Sequence, residues 1–263
     1  KSLGNGVDPY DIMNKYGADL IRLWAASADY HADMRCSEKI FKQLSQNYLK
    51  FRNTARYCLG NLNGFDPDNL VAPADMLALD KWAITRLNAL IQKCFQGYDD
   101  YDFNVVTHAV NDFCVVEMSN FYLDIIKDRL YCGDAHGRRS AQTALYIILD
   151  GMTRLIAPIL AFTSDEIWHA MKHAQSVNAE SVLLNDMPSD NAAFTLGEAE
   201  QARWSKLISL RDAVNKALEN ARAAGVFKKA QDTEVTLSVA ERKDADFLSG
   251  VDLDGFKTIR HDN

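Results

Sequence analysis

Nothing in these 263 residues approaches the run of roughly 20 apolar residues that a membrane helix requires, so a helical membrane span is excluded. The start of the chain shows no basic, apolar, small-residue leader, and the cytoplasm is the expected compartment. No Cys-x-x-Cys pair occurs. Cys36, Cys58, Cys94, Cys114 and Cys132 stand singly, an odd set that reads as free, mostly buried thiols in a reducing compartment and not as zinc ligands. His169 and His173 are four apart but lack a third ligand at sensible spacing, which points to surface residues and no metal site. No Ser-His-Asp set, glycine-rich phosphate loop, internal repeat or low-complexity tract is visible.

What remains is ordinary globular material, 48% hydrophobic and 25% charged, enough for one large domain or one domain with a small appendage. The formal net charge is -7, from 36 acidic and 29 basic residues. Taken whole, that balance argues against nucleic acid, because phosphate neutralisation needs clustered lysine and arginine. Distribution decides the matter, since an acidic protein can still present one basic strip.

Helical periodicity dominates to about residue 224. A short helix starts at Pro9, behind Asp8. The next runs over 37–60, with Ser37 as N-cap and Ile40, Leu44, Tyr48, Phe51 and Ala55 on one face, closed by Gly60. Residues 61–74 read as a loop. A helix through Leu79, Leu87 and Cys94 follows, then a long one over 103–131 with a bend expected near Ser119-Asn120. Gly133 to Gly137 reads as a turn. The fourth long helix spans Arg138 to Ala157, where Pro158 must break it. Thr163-Ser164-Asp165-Glu166 is expected to cap a short helix through Trp168, Val182-Leu183-Leu184 to be extended, and 197–224 to form another long helix. Alternation in 234–239 predicts a strand, and 245–248 a brief helix. The fold expected is mainly α: an antiparallel helix bundle followed by the start of a small α/β appendage. Its divisions are 1–36 as a connecting segment, 37–225 as the bundle and 226–263 as the appendage.

The N-terminal pentapeptide Lys1-Ser2-Leu3-Gly4-Asn5, running into Val7-Asp8-Pro9, resembles the tail of the Lys-Met-Ser-Lys-Ser signature of class I aminoacyl-tRNA synthetases. Tyr10 to Trp24 resembles the segment that follows this loop in class Ia members. Asp33-Met34-Arg35-Cys36-Ser37, Lys50 to Tyr57, and Ser119 to Tyr131 resemble the bacterial isoleucyl branch in family order, and Leu3 after the signature serine points the same way. The resemblance covers most of residues 1–225. It implies a class Ia anticodon-binding domain whose parent ligates isoleucine to tRNA using ATP and Mg²⁺. The catalytic and editing domains are then expected upstream and a zinc module beyond Asn263, with no cofactor and no catalysis of this stretch alone.

Site candidates follow from both sources. The resemblance places Lys1 and Ser2 on ATP phosphates. Lys50, Arg52, Asn53 and Arg56 lie on one helix, with Arg52 and Arg56 four apart and therefore on one face. Guanidinium forks there can grip phosphates, and an amide can meet a base edge. From the residues alone they read as a solvated face or as partners of internal carboxylates, whereas the resemblance implies that this helix faces tRNA. Lys127 and Arg129, with Arg138 and Arg139 across a turn, form a second cluster, open equally to phosphate contact and to internal pairing with Asp124, Asp128 and Asp134. Lys228-Lys229 is a third, where the sequence departs from the family's Gly-Lys-Ser-like turn. Phe121, Tyr122, Tyr131, Trp168 and Trp204 read as core before they read as base-stacking platforms. The partner implied is isoleucine tRNA at its anticodon stem and loop. The other readings are the same domain of a valyl or leucyl synthetase, or a helical protein-interaction module without an RNA role.

Overall fold

The computed structural model describes residues 7–227 together with 235, 247 and 248. Lys1, Ser2, Lys228, Lys229 and the strand expected at 234–239, Val235 aside, lie outside them; of the helix expected at 245–248, only Phe247 and Leu248 are described, both helical. The chain divides into two compact units, residues 1–195 and 196–263.

In the first unit, α1 (Pro9–Tyr16) opens with Asp8 accepting from the Tyr10 amide and Pro9 in the first turn. It breaks at Gly17, whose φ of 87° lies in the region that favours glycine, and α2 (Ala18–Ser27) departs from there. Then come α3 (Glu38–Asn61), α4 (Ala78–Asp99) and α5 (Phe103–Asp112). A π-helical segment, Phe113–Tyr122, continues α5 into α6 (Leu123–Ile125) and α7 (Lys127–Tyr131). After a turn come α8 (Ala135–Ile156) and α9 (Ala161–Ala170). Among the described residues there is no strand.

The core is built around α8. Every residue from Ser140 to Leu149 is buried, so this helix is covered on all sides by α3, α4, α5, α7 and α9. Leu145, Ile148, Leu149 and Met152 are fully buried, each stabilising the fold by about 1.5–3 kcal/mol. Of its buried polar residues, Gln142 donates to the Asn61 carbonyl at 2.8 Å and Thr143 accepts from the Val71 amide at 3.1 Å, whereas the Thr153 hydroxyl is buried without a partner among the described residues. Gly151 lets α4 approach, since an added Cβ would stand 3.2 Å from the Leu87 side chain.

Four local expectations are corrected. The element over 103–131 does not merely bend at Ser119-Asn120; it widens into π turns there, with the Ser119 hydroxyl donating to the Cys114 carbonyl five residues back. The turn after Gly133 is shorter, because Asp134 caps α8 through the Gly137 amide at 2.6 Å. Thr163 to Glu166 lie inside α9, whose first turn is capped from outside by Asp19. Val182–Leu184 is a 3₁₀ turn capped by Ser181, not an extended patch. The second unit contains α10 (Glu198–Ala223), close to the helix expected at 197–224.

Candidate nucleic-acid interface

The amphipathic pattern of α3 sets the candidate surface. Phe41, Phe51, Thr54, Ala55 and Cys58 are buried. On the opposite side Lys42, Gln46, Leu49, Asn53, Arg56 and Gly60 recur at alternating spacings of four and three, forming one exposed line down the helix. Lys50 and Arg52 flank it, both exposed. Among the described residues, the side chains of Lys50, Arg52, Asn53 and Arg56 have no hydrogen-bond or ion-pair partner. That disposes of the reading in which an arginine of this trio pairs with a carboxylate inside the bundle.

Charge is segregated along this helix. Between Glu38 and Asp66 the chain carries Lys39, Lys42, Lys50, Arg52 and Arg56 and no acidic residue, its longest acid-free stretch. Glu38 itself is engaged by Lys15 and by the field of Lys42, which hold its carboxyl below the usual range. Lys39 and Lys42, which no motif marks, extend the same charge. The signal that finds them is the absence of acids, not the spacing of bases.

One edge of α3 meets the α6–α7 segment. The Tyr57 hydroxyl donates to the Leu123 carbonyl at 3.3 Å, and burial, with Tyr131 next to it, pushes its pKa up. Tyr131 is 67% exposed, an aromatic face beside the basic helix. Lys127 is half-buried and bonded to Asp124 at 2.8 Å on its own turn. Arg138 is exposed, while Arg139 lies over the Phe65 ring at 5.3 Å.

Arg129 does not belong to this surface. It forms a two-pronged ion pair with the fully buried Asp80, at 2.7 and 2.9 Å. Asp80 also accepts from Tyr122 at 2.8 Å and from Ser140 at 2.5 Å. Four segments therefore converge on one carboxylate, and the guanidinium is committed to the core. Phe121 packs edge-on to Trp82 and Trp168 is buried with its indole N–H on the Asn178 carbonyl, so these aromatics are core. Among the described residues no group of three His, Cys, Asp or Glu could hold a metal ion, and no helix is long and apolar enough to cross a membrane.

Among the described residues, this helical bundle presents an exposed cationic helix face complementary to an anionic polymer. Its fold is found in a solved class I synthetase: the LeuRS–tRNA–LeuAMS ternary complex of Agrobacterium radiobacter K84 superimposes with a TM-score of 0.54 at 18% identity, covering 75% of this chain and 23% of that one. Residues 80–237 match the family described as the anticodon-binding domain of tRNA ligase, and residues 1–37 match the class I tRNA synthetases for I, L, M and V. The chain belongs to the anticodon-binding domain family of tRNA ligases. It is 48% identical over 240 residues to the isoleucine–tRNA ligase of Caldanaerobacter subterraneus subsp. tengcongensis, covering 90% of this chain and 26% of that protein. The corresponding ligase of Thermoanaerobacter sp. strain X514 is 49% identical over 225 residues, 84% of this chain and 24% of the relative. The chain thus spans about a quarter of the length of the curated relatives it matches. Helix α3 lies between the two family spans.

Proposed function

We propose that the outward face of α3, with Lys50, Arg52, Asn53 and Arg56 at its centre and Tyr131 at its edge, docks the anticodon stem and loop of isoleucine tRNA. The observation that carries this reading is the acid-free, partnerless cationic line on α3 in a chain of net charge -7. Lysine and arginine there displace counterions from the RNA backbone, Asn53 offers an amide to a base edge, and Tyr131 offers a ring to an unstacked base. The docking module proposed runs from Ser37 to Gly225 and so draws on α3–α9 of the first unit and α10 of the second. The isoleucine–tRNA ligase relatives support isoleucine as the amino acid. In this reading the parent is cytoplasmic and uses ATP and Mg²⁺, Lys1 and Ser2 meet ATP phosphates, and Lys228-Lys229 adds to the RNA surface.

In this arrangement the bundle performs no chemistry. Its contribution is to hold one end of a long substrate so that the other end reaches a distant reaction centre, which converts binding energy into orientation. The test is a salt series on Lys50→Ala, Arg52→Ala and Arg56→Ala. Each is expected to reduce the slope of log K against log salt by about 0.7–1, one phosphate contact each. Slopes identical to the unsubstituted protein would remove α3 from the interface.

A further inference from the structure

Helix α2 carries an acid and a base three residues apart, and both reach out of their own helix to the α8–α9 junction. Asp19 is buried at 6% exposure and accepts from the Thr163 amide at 2.7 Å, the Thr163 hydroxyl at 2.6 Å and the Phe162 amide at 3.3 Å. These amides belong to the first turn of α9, which has no side-chain cap of its own. Arg22 donates through Nε to the Ile159 carbonyl at 2.9 Å and through Nη2 to the Pro158 carbonyl at 2.7 Å. These carbonyls follow the C-terminus of α8, where Pro158 ends the helix. An anion therefore sits on the positive end of one helix dipole and a cation just past the negative end of the other, both carried by one turn of α2.

The junction has a third occupant. The Tyr48 hydroxyl of α3 lies 3.1 Å from the Thr163 hydroxyl that Asp19 holds. The node thus joins α2, within the residues that match the class I synthetase family, to the basic helix α3, with α9 as the common footing. Most of its bonds run to backbone groups at two helix ends, which have no intrahelical partner and so take their satisfaction from α2.

We infer that Asp19 and Arg22 are positioning residues that fix the synthetase-like segment against the RNA-docking helix, so that tRNA held on α3 presents its acceptor end in register for charging. The inference rests on the reading under Proposed function. It assigns neither residue to RNA or amino-acid contact. Loss of the clamp lowers the rate of charging without lowering affinity for either substrate.

The experiment uses full-length isoleucine–tRNA ligase carrying this sequence, with Asp19→Asn, Arg22→Met and Arg22→Lys. Three quantities are read: isoleucine-dependent ATP–pyrophosphate exchange, tRNA affinity, and the kcat and KM of tRNA charging. Exchange and affinity are expected to hold within about twofold, while kcat for charging falls about ten- to a hundredfold in Asp19→Asn and Arg22→Met. Arg22→Lys, which keeps a cation at the α8 carbonyls, recovers most of the rate. Arg22 reaches solvent, so its variants test the clamp without emptying the core. Unchanged charging, or a parallel fall in exchange, affinity and thermal stability, would overturn the inference and leave Asp19 and Arg22 as ordinary fold contacts. A wild-type enzyme that neither binds nor charges isoleucine tRNA would overturn the underlying reading, and the clamp with it.

Discussion

Arg129 shows how a residue that sits in a basic cluster in the sequence can belong to the interior, here as the partner of the buried Asp80. The pair is separated by 49 residues, so no local spacing reveals it. A buried carboxylate needs its charge answered, and here one guanidinium and two hydroxyls do so. Replacing Arg129 by methionine would keep most of the volume and leave Asp80 buried without its cation. The expected cost is about 3–5 kcal/mol in a urea or thermal unfolding measurement. The same substitution should leave the salt slope of RNA binding unchanged, because the side chain does not touch phosphate. A variant of wild-type stability with a lower slope would return Arg129 to the interface. The contrast with Arg52 and Arg56 is physical. Those arginines stand within a stretch that contains no acid, so nothing local is available to neutralise them.

At the scale of elements, the long helices α3, α4, α8 and α10 are legible from their apolar periodicity, which in α3 and α4 corresponds to a buried stripe, whereas α10 buries only Leu207. The ends are less legible. Caps supplied from elsewhere in the fold, such as Asp19 on α9, leave no local signature, and Thr163 to Glu166 look like a cap while lying inside a helix. The π segment was hidden for a related reason. It buries Phe121 and Tyr122 in succession, against Trp82 and Asp80 among others, and tertiary partners instead of propensity hold the wider turn. Gly17 is an element boundary of the opposite kind, set by backbone conformation alone. An added Cβ there would meet nothing within 4 Å, yet the φ of 87° strains any other residue. Gly17→Ala is expected to destabilise the α1–α2 corner by about 1–2 kcal/mol, measured by thermal unfolding or by faster amide exchange in α1. An unchanged melting temperature and exchange pattern would mean that the corner tolerates a standard backbone.

At the scale of the whole molecule, net charge and charge distribution point in opposite directions, and the tRNA-ligase family match favours the distribution. The chain is acidic overall, and its excess of carboxylates lies outside residues 39–65. A polyanion meets net repulsion from the chain as a whole and local attraction at the acid-free α3 face, so orientation is selected together with affinity. Direct binding of this chain to isoleucine tRNA therefore gives the most direct test. It should be measured across a salt series with the native anticodon and with substituted ones, for the unsubstituted protein and for the combined Lys50→Ala, Arg52→Ala, Arg56→Ala variant. The account predicts salt-steep binding that weakens on anticodon substitution and flattens by about 2–3 in slope in the triple variant. Binding that ignores both the anticodon and the triple substitution would contradict it, and would place the RNA-docking surface somewhere other than α3.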